Sequence, residues 1–259
     1  MIRPNPHYGS GRFRRRIVLQ QRNLPGGLGG IDAELEDCNH RLALSTCHDG
    51  QHIVGIRAHS LRIPYSSCPG AATALEALVG QPLPDRPGDL ARAGGQPRQH
   101  CTHLFDLLEL ALLHRLRATP RSEWQVVVED EHNGMEQAEV CLDRRLIHRW
   151  QIHQGRLQTS LSPEGQALIG GGFGRWAQHR FQGLELEAAA VLQRGYFVAQ
   201  ARRYDVDSGA GQRADSDGMP TGVCYTYQPE RAAEATRLAN TVRDFSDPAR
   251  PPLAEHPLR

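Results

Sequence analysis

Cys38, His40, Cys68, His100, Cys101 and His103 are the residues of this chain whose types and spacing could do chemistry. They fall in three clusters: Cys38-Asn39-His40, Cys68-Pro69-Gly70 and His100-Cys101-Thr102-His103. Thiolate sulfur and imidazole nitrogen are the donors that zinc and iron prefer. The first cluster precedes a strand pattern, and the other two each open a helical pattern. A thiolate at a helix start is stabilised by the free N–H groups and by the positive end of the helix dipole. Two such thiolates with a neutral imidazole make a zinc or iron site. An exchangeable position there would polarise a carbonyl or activate water. His100 and His103 compete for the role of a further ligand or a supporting group, because a helix start turns only one of them toward a given point. Cys224 could approach from the C-terminal part, while Cys47 and Cys141 read as structural.

The elements that must position these residues follow from periodicity. Arg14 to Gln20, Ile31 to Glu36, Leu42 to Thr46 and Ile53 to Ile63 read as strands, the second alternating Ile31, Ala33, Leu35 against Asp32, Glu34, Glu36. Ala71 to Val79 and Leu104 to Leu116 carry apolar residues at helical spacing. Past Pro120, the segments Trp124 to Glu129, Gln137 to Asp143 and Leu146 to His153 read as strands, with turns at Asn133-Gly134 and Gly155. The run Gly170-Gly171-Gly172 predicts a tight entry into one long helical stretch, Trp176 to Arg203. Residues 205–218 read as a mobile solvated loop, Gly222 to Tyr227 as a short strand and Glu230 to Ala239 as a last helix. Residues 1–12 read as a disordered arm, and the proline-bearing tail 246–259 as extended. The expected fold class is α+β: an antiparallel sheet with helices on one face over residues 1–119, then a C-terminal α+β extension over 120–259 that completes the site.

Composition narrows the function classes. The chain has 259 residues and a formal net charge of +1, so no global field draws it to nucleic acid or to a membrane surface. All 30 basic residues are arginine, which excludes a Schiff-base lysine, a lysine general base and a Walker-type phosphate loop. No apolar run approaches the length of a membrane span, and no signal-peptide pattern opens the chain. A cytoplasmic location is expected, and there six cysteines read as thiols or ligands rather than disulfides. Gly170 to Gly174 lacks the strand that a phosphate-cradling loop would follow, and no G-x-S-x-G elbow exists.

On Cys38-Asn39-His40, Cys68 before Ala71 to Gly80, and His100-Cys101, the first 117 residues resemble the iron–sulfur cluster assembly scaffolds (the NifU N-terminal and SufU-like fold). That resemblance implies Cys38, His40, Cys68 and Cys101 as ligands, with His40 at the usual aspartate position. Two departures stand out: Gly95-Gln96-Pro97-Arg98-Gln99 replaces the scaffold's chaperone recognition motif, and the rest of the chain has no counterpart. The whole chain is more similar to an uncharacterised bacterial family known only as a domain of unknown function. This likeness rests on His40, Cys68-Pro69, Leu78-Val79-Gly80, Cys101-Thr102-His103-Leu104 and Gly222-Val223-Cys224-Tyr225-Thr226-Tyr227-Gln228-Pro229. It implies a metal-type site and a link to the breakdown of aromatic compounds.

Two functions are therefore expected. The first is a mononuclear zinc or iron enzyme, a lyase or hydrolase of a small oxygenated, aromatic included, molecule. Arg175, Trp176, Arg180, Tyr225 and Tyr227 would then line the substrate pocket. The second is a non-catalytic scaffold that carries an iron–sulfur cluster or transfers sulfur. The expected partner is a small-molecule substrate, with no nucleic acid and no membrane, and a homo-oligomer is left open.

Overall fold

The computed structural model describes residues 2–159 and 162–254, so Met1, Ser160, Leu161 and the last five residues of the tail lie outside the described residues. Nine strands build one sheet: β1 (Arg12–Asn23), β2 (Gly29–Glu36), β3 (Arg41–His48), β4 (Ile53–Arg62), β5 (Arg121–Glu129), β6 (Met135–Leu142), β7 (Arg145–His153), β8 (Arg156–Thr159) and β9 (Ser162–Ala167). Their order is β9-β8-β7-β6-β5-β1-β2-β3-β4, with every neighbouring pair antiparallel. β1 is the hinge of this arrangement. Ile17 lies opposite Leu35 of β2 on one side and opposite Trp124 of β5 on the other. The two halves of the chain on either side of Pro120 thus share one continuous sheet.

Alternation decides which face is covered. Phe13, Ile17 and Leu19 of β1 and Trp124, Val126 and Val128 of β5 are buried in one core. Four helices cover that face: α1 (Cys68–Ala74, continued by a tighter turn at Leu75–Leu78), α2 (Thr102–His114), α3 (Phe173–Arg180) and α4 (Gly183–Ala199). α2 packs over β1 to β3 and α4 over β5 to β7. A Cβ at Gly195 would stand 2.6 Å from Val126 Cγ1, so this glycine lets α4 lie close on the sheet. Ion pairs tie α4 to α2 and to the turn after it, Arg194 to Asp106 at 2.8 Å and Glu187 to Arg117 at 2.5 Å. The opposite face is crossed by the C-terminal tail, whose Leu253 is buried and donates its N–H to Glu36 at 2.6 Å.

Several expectations need correction. The stretch from Trp176 to Arg203 is two helices, because Phe181 and Gln182 adopt extended backbone. The Phe181 ring turns back onto Trp176 and His148. Gly222 to Tyr227 is a turn, closed by Gly222 N on Tyr227 O at 2.7 Å and Tyr227 N on Cys224 O at 3.1 Å rather than paired along a strand. The last helix shrinks to a single turn, Pro229–Ala232. Residues 2–12 are docked: Arg3–Pro4 pair with Tyr204–Asp205, and Arg203 stands 4.9 Å over the Tyr8 ring. Residues 205–218 are anchored through Asp217. Its carboxylate is 2% exposed and accepts from Tyr227 Oη at 2.6 Å, from Arg237 at 3.0 Å and from Tyr65.

Candidate functional site

The heads of α1 and α2 carry the cysteines that the sequence places there. Cys68 is the first residue of α1, and Cys101 is the residue before α2. The turn at Cys224-Tyr225-Thr226 is laid across both heads. Tyr225 N donates to His100 O at 2.9 Å, and Gln228 Nε2 donates to Arg98 O at 2.7 Å. Thr226 is buried, with its hydroxyl 2.9 Å from Ser67 Oγ and 3.5 Å from Cys68 Sγ. Gly70 makes room for the turn, since a Cβ there would stand 2.5 Å from Tyr225 Oη. Arg231 in turn stands over the Tyr225 ring at 4.0 Å.

Cys68, Cys101 and Cys224 are all partly open to solvent, and they feel one another's charge. Burial pushes the Cys101 thiol up to about 12, with Cys68 and then Cys224 adding to the rise. Burial raises Cys68 as well, against the pull of the Thr226 hydroxyl, and it raises Cys224. Burial and mutual repulsion thus favour the protonated form of all three thiols.

A second group lies around Asp37, at the end of β2. Its carboxylate is fully buried and accepts five hydrogen bonds. Arg15 donates Nε at 2.9 Å and Nη2 at 2.6 Å to Oδ2, while Asn39 N, His40 N and His40 Nδ1 donate to Oδ1 at 2.9, 2.8 and 3.1 Å. Burial alone would raise its pKa, but Arg15 and His40 outweigh it and hold the carboxyl far below the usual range. An ionised acceptor fixes the proton of His40 on Nδ1 and leaves Nε2 free. The His103 ring stands 4.4 Å from that of His40. Burial, with His40 and Arg15 adding, keeps His103 well below the ordinary histidine range, and its Nδ1 has no hydrogen-bond partner among the described residues. Of the two competing histidines, His103 faces His40, whereas His100 stacks on Phe105.

The expected ligands therefore divide. His40 neighbours Asp37 and His103, whereas Cys101 neighbours Cys68 and Cys224. Cys38 is buried on the Arg15 side, where burial and then Asp37 push its thiol beyond the ordinary range. The thiols supply soft donors, but they do not stand in a closed arrangement: among the described residues, no three of His, Cys, Asp and Glu form a group that could hold a metal ion. Tyr225 borders the thiols. Tyr227 stands further back in the small core with Tyr65. Arg175 and Arg180 are exposed on α3, and Trp176 packs between Phe173 and Phe181. Sequence reasoning missed Arg15 and Asp37. The signal for Arg15 was a charged residue at an inward position of β1, between Phe13 and Ile17.

Residues 13–112 match the family described as "Protein of unknown function (DUF2889)". The DUF2889 segment runs from β1 into α2 and contains Arg15, Asp37, His40, Cys68, Cys101 and His103. Cys224, Tyr225 and Thr226 lie beyond the DUF2889 match, as does the rest of the sheet from β5 onward. No curated protein matches the chain.

Proposed function

We propose that the chain is a metal-dependent enzyme, a lyase or hydrolase acting on a small oxygenated molecule, with aromatic ones included. Cys68, Cys101 and Cys224 would hold its zinc or iron ion, with Cys224 taking the place first expected for Cys38. The observation that carries this reading is that Cys68 and Cys101 stand at the heads of two helices, with the turn that bears Cys224 laid across both and all three cysteines partly open to solvent. The ion would supply Lewis acidity to a carbonyl or to water. The chain itself supplies proton chemistry. Asp37 keeps the His40 proton on Nδ1, so Nε2 can take a proton from a bound molecule. His103, held neutral, packs its ring against that of His40 and limits how the latter can turn. Tyr225, packed against Gly70 and Arg231, borders the thiols.

The all-sulfur donor set also favours a second reading, a protein that carries an iron–sulfur cluster or passes on sulfur. Elemental analysis of the full-length chain separates the two. About one zinc or iron per chain, with no acid-labile sulfide, is the result expected of a mononuclear enzyme. A brown protein with iron and sulfide together would support the scaffold. Metal-free protein that takes up neither ion on incubation would overturn both.

A further inference from the structure

A cleft of about 610 Å3 opens between the loop that precedes α2 and the junction of α3 with α4. Arg86 and Arg92 stand on the loop side, with Gln178, Phe181, Gln182 and Leu186 on the other. Among the described residues, no carboxylate lines it.

The loop is proline- and glycine-rich, yet it is held rigid by side chains committed to its backbone. Arg115 donates to Pro84 O at 2.6 Å and pairs with Asp85 at 2.6 Å. Glu109 accepts from the amides of Gly88 and Leu90 at 2.9 and 3.0 Å. Asp89 accepts from the amides of Asp85 and Arg86 at 3.1 and 2.8 Å, and it pairs with Arg92 at 2.5 Å. The one guanidinium left over at the rim is Arg86, whose side chain has no partner among the described residues. The loop backbone that carries Arg86 is already fixed, so gripping an anion orders only the side chain.

The facing wall is apolar and equally fixed. Phe181 is braced by Trp176 and His148, and Leu186 is buried in the first turns of α4. Gln178 and Gln182 add neutral hydrogen-bonding groups. Gly183, the first residue of α4, completes the lining on this side. An inorganic anion would leave the apolar wall unused, and a neutral hydrocarbon would leave Arg86 unused.

We infer that this cleft binds a small organic anion with an apolar body: the carboxylate on Arg86 and the hydrocarbon against Phe181 and Leu186. The inference is independent of the metal reading. The test is calorimetric titration of the full-length chain with hexanoate, with hexanol and inorganic phosphate as probes lacking the charge or the body. Hexanoate should bind saturably, and Arg86→Gln should weaken it about tenfold, the cost of one charge-assisted contact. Phe181→Ala should weaken it too, and circular dichroism would confirm that both variants fold. Absence of saturable hexanoate binding overturns the inference. So does unchanged affinity in Arg86→Gln, or phosphate or hexanol binding as tightly as hexanoate.

Discussion

Arg15 grips Asp37 by two hydrogen bonds that converge on Oδ2, with both side chains almost completely withdrawn from water. The pair orients His40 and thereby one half of the candidate site. Asp37→Asn keeps the shape but leaves the Arg15 charge buried without compensation. The account expects a loss of about 3–5 kcal/mol of unfolding free energy in urea. Because the folded-state pKa of Asp37 is depressed, its contribution is complete above the ordinary aspartate range and declines as the pH falls below about 4. A loss under about 1 kcal/mol would place Asp37 in a far wetter setting than its burial implies.

His114 sets a second pH response. It is fully buried in α2, and burial lowers its pKa. The unfolded chain therefore binds the proton more readily, and stability falls as the pH drops below about 6.5. His100 and His103 are shifted in the same direction by the same first cause. The urea midpoint should decrease from pH 7 to pH 5, and His114→Gln should make that slope shallower. An equal slope in the variant would assign the response to other groups.

Asp217 clamps the C-terminal segment to the body. Its carboxylate collects Tyr65, Tyr227 and Arg237 in a small core against which Cys224 and Cys68 pack. Asp217→Asn weakens three contacts at once and should cost about 2 kcal/mol or more. Hydrogen exchange localises the effect. The Tyr225 and Tyr227 amides, now bonded to His100 O and Cys224 O, should lose protection ahead of the sheet. Uniform exchange across the chain would show that the segment is not a separate unit.

The local parts of this architecture were legible in sequence. Alternation along Ile31 to Glu36 and the helical spacing after Cys68 and Cys101 gave the elements. Asn133-Gly134, with φ of 52° and 79°, gave one hairpin outright. The long-range joins were not legible. Nothing local in Ile17 says that its second neighbour is Trp124 rather than solvent, so one sheet reads as two regions. Cys224 reaches Cys68 only through a turn whose Val223-to-Tyr227 composition resembles a strand. The break at Phe181-Gln182 carries no proline, and its cause, the Phe181 ring packing on Trp176 and His148, is tertiary.

The central claim is that Cys68, Cys101 and Cys224 act as one metal-binding set. Its most direct test is elemental analysis by mass spectrometry on the purified full-length chain and on Cys68→Ser, Cys101→Ser, Cys224→Ser and Cys47→Ser. The account predicts about one zinc or iron per chain in the parent and in Cys47→Ser, and a marked loss in each of the other three. Metal retained at parental level in Cys101→Ser or Cys224→Ser, or lost equally in Cys47→Ser, would contradict it.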